Sequence, residues 1–146
     1  MKQQTLVDAL NLVLADSYAL FLKTQNYHWH FTGANFMSVH EMLEEFYRDL
    51  LNAVDDFAER IVILGAKAPA TFAELSDRKT LADGNSSASG QQMLQQLHND
   101  QGLLVETLYK ALKIAQGCND EASIGLLSER ISVHEKHQWM LRAHLS

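Results

Sequence analysis

YHWHFTGANFMSVHEMLEEFYRDLLNAVDDFAERIVILG, residues 27–65, decides the fold. A short turn, Thr32-Gly33-Ala34-Asn35, separates two segments of helical periodicity. After it, Phe36, Val39, Leu43, Phe46, Leu50, Val54, Phe57, Ile61 and Leu64 recur at helical spacing. They predict a helix over 36–64 with one buried face, ended by Gly65. His40, Glu44, Leu51 and Asp55 occupy the adjacent strip, and Glu59 begins to rotate off it. Before the turn, Leu6, Leu10, Val13, Leu20, Thr24 and His28 mark one face of a helix running from Thr5 to Phe31. His30 falls on the opposite, solvated side.

An antiparallel hairpin about this turn brings two histidines to one level. His28 lies six residues before position 34, and His40 lies six after it. Two imidazoles at one level are a candidate metal site. The plainer reading of His28 is a hydrogen-bonded core histidine. The carboxylates Asp55 and Glu59 stand farther along the second helix. At about 1.5 Å per residue, Asp55 is roughly 22 Å from His40. One ion cannot span that distance, because metal–ligand bonds are about 2 Å long. Both residues nevertheless leave the helix on broadly the same side. A second copy laid antiparallel, with a two-fold axis near Asp49, sets His28 and His40 of one chain against Asp55 and Glu59 of the other. The expectation is a metal site shared between two chains and repeated twice per dimer.

The remaining chain reads as two more helices. Residues 66–90 form a long connection with Pro69, a short helix at Thr71–Leu75 and a polar run, Asp83 to Gly90. A link of this length can cross a bundle end to end, so the helices on either side of it are expected to run parallel. The third long helix covers Gln91–Gln116 and ends at Gly117, with His98 and Asp100 expected at the surface. The fourth runs Glu121–Leu145 and is capped by Asn119 or Asp120. His134 and His137 can share a surface metal, face solvent, or pack with Trp139. No Glu-x-x-His occurs, which argues against iron held inside each bundle. The fold class is therefore all-α: a four-helix bundle whose long crossover carries a short helix, in a single domain over 1–146.

Composition narrows the functions further. The 146 residues include 12 basic and 18 acidic side chains, a net charge of −6, with 47% hydrophobic residues. An acidic balance suits attraction of cations and argues against direct electrostatic binding of nucleic acid. Cys118 stands alone, which points to a reducing compartment, the cytoplasm. No segment reaches about 18 uninterrupted apolar residues, so no membrane span is expected.

One family matches this pattern. His28-Trp29, Thr32-Gly33-Ala34-Asn35-Phe36, Val39-His40-Glu41 and Asp55-x-x-Ala58-Glu59-Arg60 resemble the Dps mini-ferritins, small ferritin-like proteins of starved or oxidatively stressed bacteria. The likeness is sharpest over 27–65. It implies an inter-subunit ferroxidase centre in which His28, His40, Asp55 and Glu59 bind and oxidise iron. Glu44 stands where relatives usually carry Asp and is a further candidate ligand. The resemblance implies ferrous iron and hydrogen peroxide as partners, in a hollow dodecamer that stores ferric mineral. It gives Trp29 a second reading beside subunit packing, as an aromatic that intercepts oxidising equivalents. It likewise makes Asp120 and Glu121 candidate linings of an iron-entry pore as well as helix-capping acids. Gly125 stands where many relatives have another Asp.

Three functions compete. The first is a ferroxidase and iron store that protects against oxidative stress. The second is a DNA-compacting protein; some relatives bind DNA through a lysine-rich tail, whereas here only Lys2 precedes the first helix. The third is a non-enzymatic helical assembly whose histidines and acids are interface hydrogen bonds.

Overall fold

The computed structural model describes residues 2–146. Four long helices, α1 (Lys2–His30), α2 (Phe36–Ile63), α4 (Gly90–Gly117) and α5 (Glu121–Leu145), surround one apolar core. A short helix, α3 (Phe72–Arg78), lies in the crossover against α1. Among the described residues there is no strand. Helix α1 packs on α2 and α4, and α5 packs on α4 and more lightly on α2.

Directions follow from pairs of contacts. The start of α4 meets the end of α1: a Cβ at Gly90 would come within 2.7 Å of the Thr32 carbonyl. The end of α4 meets the start of α1, where the Cys118 thiol lies 3.4 Å from the Lys2 carbonyl. Helices α1 and α4 are thus antiparallel, and α2 and α4 run parallel, as the long connection predicts.

Sequence chemistry sets the ends of these helices. Ser89 and Gln92 form a reciprocal capping box at α4. Thr71 caps α3, starting it at Phe72 and carrying it to Arg78 rather than stopping at Leu75. Gly65 takes φ +90 just past α2. At the end of α4 the left-handed residue is Asn119, φ 53, while Gly117 remains helical.

The apolar stripes close the core. Leu10, Val13, Leu20, Val39, Leu43 and Leu50 are all fully buried. Phe36 departs from its stripe and stays 38% exposed, because it sits at the helix start beside the turn.

Helix α1 is long and apolar enough, with mean hydropathy 1.4, to cross a membrane by length and composition alone. Half of that window is buried in the bundle. Its polar residues anchor the crossover. Buried Asp16 accepts from the backbone N–H of Thr80 (2.7 Å) and Leu81 (3.1 Å) and from the Thr80 hydroxyl (2.6 Å). Lys23 donates to the Ala82 carbonyl at 3.0 Å, and Tyr27 hydrogen-bonds Gln96 and the Asn85 N–H. These bonds satisfy main-chain groups that no helix or strand accommodates.

Asp100 corrects the expectation of a surface group. It is buried and pairs with Lys23 at 2.8 Å. Burial raises its pKa even though Lys23 pulls the other way. It shares the inward side of α4 with Leu97 and Leu104.

Candidate metal centre

The turn at residues 31–35 sets α1 and α2 side by side and brings His28 and His40 into contact. Their rings stack with centroids 3.7 Å apart and planes 14° from parallel. His28 Nδ1 is 2.7 Å from the His40 carbonyl, and His40 Nδ1 is 2.8 Å from the His28 carbonyl. A carbonyl oxygen can only accept, so each Nδ1 carries the proton and donates it. Each Nε2 is then the lone-pair nitrogen. This is the arrangement that orients a metal-binding imidazole: one ring nitrogen tied to the scaffold, the other free. Phe36 stacks on the outer side of His40 at 5.0 Å.

Glu44 stands one helical turn beyond His40. Its Oε1 lies 3.7 Å from His28 Nε2, and its Oε2 lies 3.4 Å from Arg48 Nε. A separation of 3.7 Å lets one cation touch both donors at about 2 Å each. Imidazole nitrogen and carboxylate oxygen suit divalent iron.

Asp55 and Glu59 do not join this cluster within one chain. Both are exposed on α2, and neither makes a hydrogen bond or ion pair with the described residues. Among the described residues, no three His, Cys, Asp or Glu side chains converge on a point fit for a metal. The histidine end and the acid end are separate halves on one outer strip of the hairpin. Leu51 lies between them, 49% exposed.

Trp29 is 60% exposed and has no aromatic partner among the described residues. Besides Phe36 on His40, the aromatic ring against the centre is Tyr47, T-shaped to His28 with centroids 5.3 Å apart. The guanidinium carbon of Arg48 lies over the Tyr47 ring, 5.9 Å from its centroid. Sequence reasoning missed Tyr47 and Arg48. The available signal was their spacing: both lie three to eight residues beyond His40 and Glu44, on neighbouring faces of one helix.

The candidate pore acids behave differently from each other. Asp120 caps α5 through the Ser123 N–H at 3.2 Å and accepts from Arg60 at 2.7 Å. Burial opposes its ionisation, but Arg60 and Ser123 outweigh it and hold its pKa low. Its charge is therefore already engaged. Glu121 is exposed in the first turn of α5.

His134 and His137 correct the expectation of a surface group. Both are buried. His134 Nδ1 faces Gln101 Oε1 at 2.7 Å, and its Nε2 faces Arg130 Nη2 at 2.9 Å. The amide oxygen accepts and the guanidinium donates, so both ring nitrogens are used. Arg130 also grips Asp49 through two bonds, 2.9 and 2.6 Å. His137 stacks on Phe46 at 3.9 Å rather than on Trp139, which is 55% exposed. Burial pushes both pKa values down, His134 well below 6.5 and His137 to about 4, and the Arg130 charge adds to it. Around His134 the cation is a guanidinium and both ring nitrogens are engaged, whereas the buried Nδ1 of His137 has no hydrogen-bond partner among the described residues.

Known proteins resemble this chain over nearly all of its length. A family model described as ferritin-like domain matches residues 7–146. DNA protection during starvation protein 2 of Bacillus anthracis is 34% identical, with 96% of each chain covered. The DNA protection during starvation protein of Brevibacillus brevis is 33% identical, covering 98% of this chain and 96% of the relative. A crystal structure of a Dps protein from Bacillus brevis superposes with TM-score 0.96 at 32% identity, covering 99% of this chain and 97% of that one. The Dps protein of Vibrio cholerae O1, described as a member of a superfamily of ferritin-like diiron-carboxylate proteins, gives TM-score 0.94 at 32% identity, with 99% and 91% covered.

Proposed function

Because the chain belongs to the Dps family of ferritin-like proteins, we propose that it binds ferrous iron as substrate between two subunits, oxidises it, and stores the ferric product. In this reading His28 and His40 supply Nε2 from one chain, with Glu44 beside them. Asp55 and Glu59 of a two-fold-related copy supply the carboxylates. The observation that carries it is the pair of Nδ1–carbonyl hydrogen bonds, which leaves both Nε2 lone pairs uncommitted at one level of the hairpin. The unpartnered state of Asp55 and Glu59, far along the same strip, supports a second chain as their destination.

The chemistry follows from the donors. Carboxylate oxygens stabilise the ferric ion more than the ferrous one, and this favours electron loss. Two ferrous ions give one electron each to hydrogen peroxide. The O–O bond breaks, two protons are taken up, and two waters form. The acidic balance draws cations toward the assembly, with Glu121 the freer of the two acids at the start of α5. A hollow dodecamer in the cytoplasm, holding ferric mineral, completes the proposal.

The test is peroxide-driven oxidation of ferrous iron, followed by ferric absorbance, in D55N/E59Q. These residues are exposed and unpaired, so the fold should be unchanged and the oxidation much slower. An unchanged rate in an intact oligomer would overturn the shared site and favour a purely structural assembly. A DNA-compacting function is the second reading, favoured by the names of the two relatives. The net charge of −6 weighs against direct contact. Retardation of DNA in a gel at low salt, without divalent metal, would revive it.

A further inference from the structure

Arg48 sits where it can oppose the metal. The Glu44 carboxylate is divided: Oε1 faces His28 Nε2 at 3.7 Å, and Oε2 faces the Arg48 guanidinium at 3.4 Å. Glu44 is also the carboxylate of this chain that lies beside the histidine pair. Arg48 is placed there by the i,i+4 spacing on α2, and its guanidinium carbon lies over the Tyr47 ring, 5.9 Å from the centroid. Tyr47 in turn meets His28, so this arginine lies near the edge of the centre. Its side chain is 67% exposed, which leaves it room to swing away.

We propose that Arg48 is a built-in competitor for Glu44: it neutralises that carboxylate in the resting chain and must be displaced before a divalent cation can use it. The inference rests on the proposed role of His28 and His40. A guanidinium beside the site acts twice. It occupies an oxygen that the cation needs, and it repels the incoming double charge. An exposed pair of this kind is weak, so it moderates affinity rather than closing the site. Arg48 therefore sets how much free divalent cation is needed to fill the centre. Since the pair is screened by salt, this moderation fades as ionic strength rises.

Cobalt(II) is a suitable probe, because its absorption reports imidazole and carboxylate ligation without oxidation of the metal. Titration of the assembled protein at low salt should show R48Q binding cobalt(II) about three- to tenfold tighter than the unsubstituted chain, the size expected for losing a weak pair and a like charge. R48K keeps the charge and should stay near the original affinity. In an E44Q background the gain from R48Q should shrink to the smaller part that charge repulsion alone supplies. Equal affinity of R48Q and the unsubstituted chain, or the same gain with and without Glu44, overturns the role of Arg48. Cobalt(II) binding that survives unchanged in H28A/H40A overturns instead the histidine centre on which the inference rests.

Discussion

Two polar clusters in this molecule use the same side-chain types and reach opposite ends. Inside the bundle, Asp49, Gln101, Arg130 and His134 hydrogen-bond one another, leaving Arg130 Nε without a partner among the described residues, and both nitrogens of His134 are spent. On the hairpin, His28 and His40 spend only Nδ1, on main-chain oxygens, and keep Nε2. The first cluster is closed by a guanidinium of its own chain. The second is left open, with an arginine only leaning on its edge. What distinguishes the proposed metal centre from the structural network around His134 is the pair of uncommitted Nε2 lone pairs at one level, rather than the inventory of histidines and acids.

The contrast can be broken most directly at the closed cluster. Arg130→Ala should destabilise the fold by about 3 kcal/mol, since it strands buried His134 and leaves Asp49 without its partner. Denaturant unfolding of the variant checks this; a loss under about 1 kcal/mol would mean the cluster is not interlocked. At the open centre the effect should fall on chemistry instead. H28A/H40A should slow peroxide-driven iron oxidation by roughly a hundredfold, a magnitude in line with loss of ligands and their orienting bonds.

Acid should separate the two clusters as well. His134 and His137 have lowered pKa values in the folded chain, so the unfolded chain binds more protons below 6.5. Their contribution is present above pH 6.5 and is lost as pH falls from there toward about 4, where His137 itself titrates. Melting temperature measured across that window should fall with pH, and His137→Phe should flatten the slope. The smallest effect is expected at Trp29. It is exposed, so Trp29→Phe should change the oxidation rate by no more than about twofold. A larger loss would restore it as an aromatic of the centre in place of Tyr47.

Much of the architecture was legible in the sequence because helical periodicity reports faces. It yields the hairpin, the common level of His28 and His40, the parallel run across the crossover, a short helix near Thr71, and a cap at Asn119 or Asp120, of which Asp120 is the one that serves. It does not report partners distant in the chain. His134 follows Leu127 and Ile131 on a buried face, yet its company on the neighbouring helices is Gln101, 33 positions away, and Asp49, 81 positions from Arg130. Asp100 was misplaced for the same reason, since its partner Lys23 lies on another helix. The tautomers of His28 and His40 were equally hidden, because main-chain carbonyls fix them and those carry no residue code.

Those crossed bonds have one more consequence. Each imidazole is tethered by the backbone that bears the other, so its tether does not depend on the other ring. Deleting either ring removes the stacked neighbour and opens space beside the survivor, but leaves the survivor's own Nδ1 bonded to a main-chain carbonyl that the substitution keeps. The surviving Nε2 should therefore stay aimed: H28A alone and H40A alone should each lose only part of the oxidation that the double replacement loses, as kinetics on the three variants would reveal.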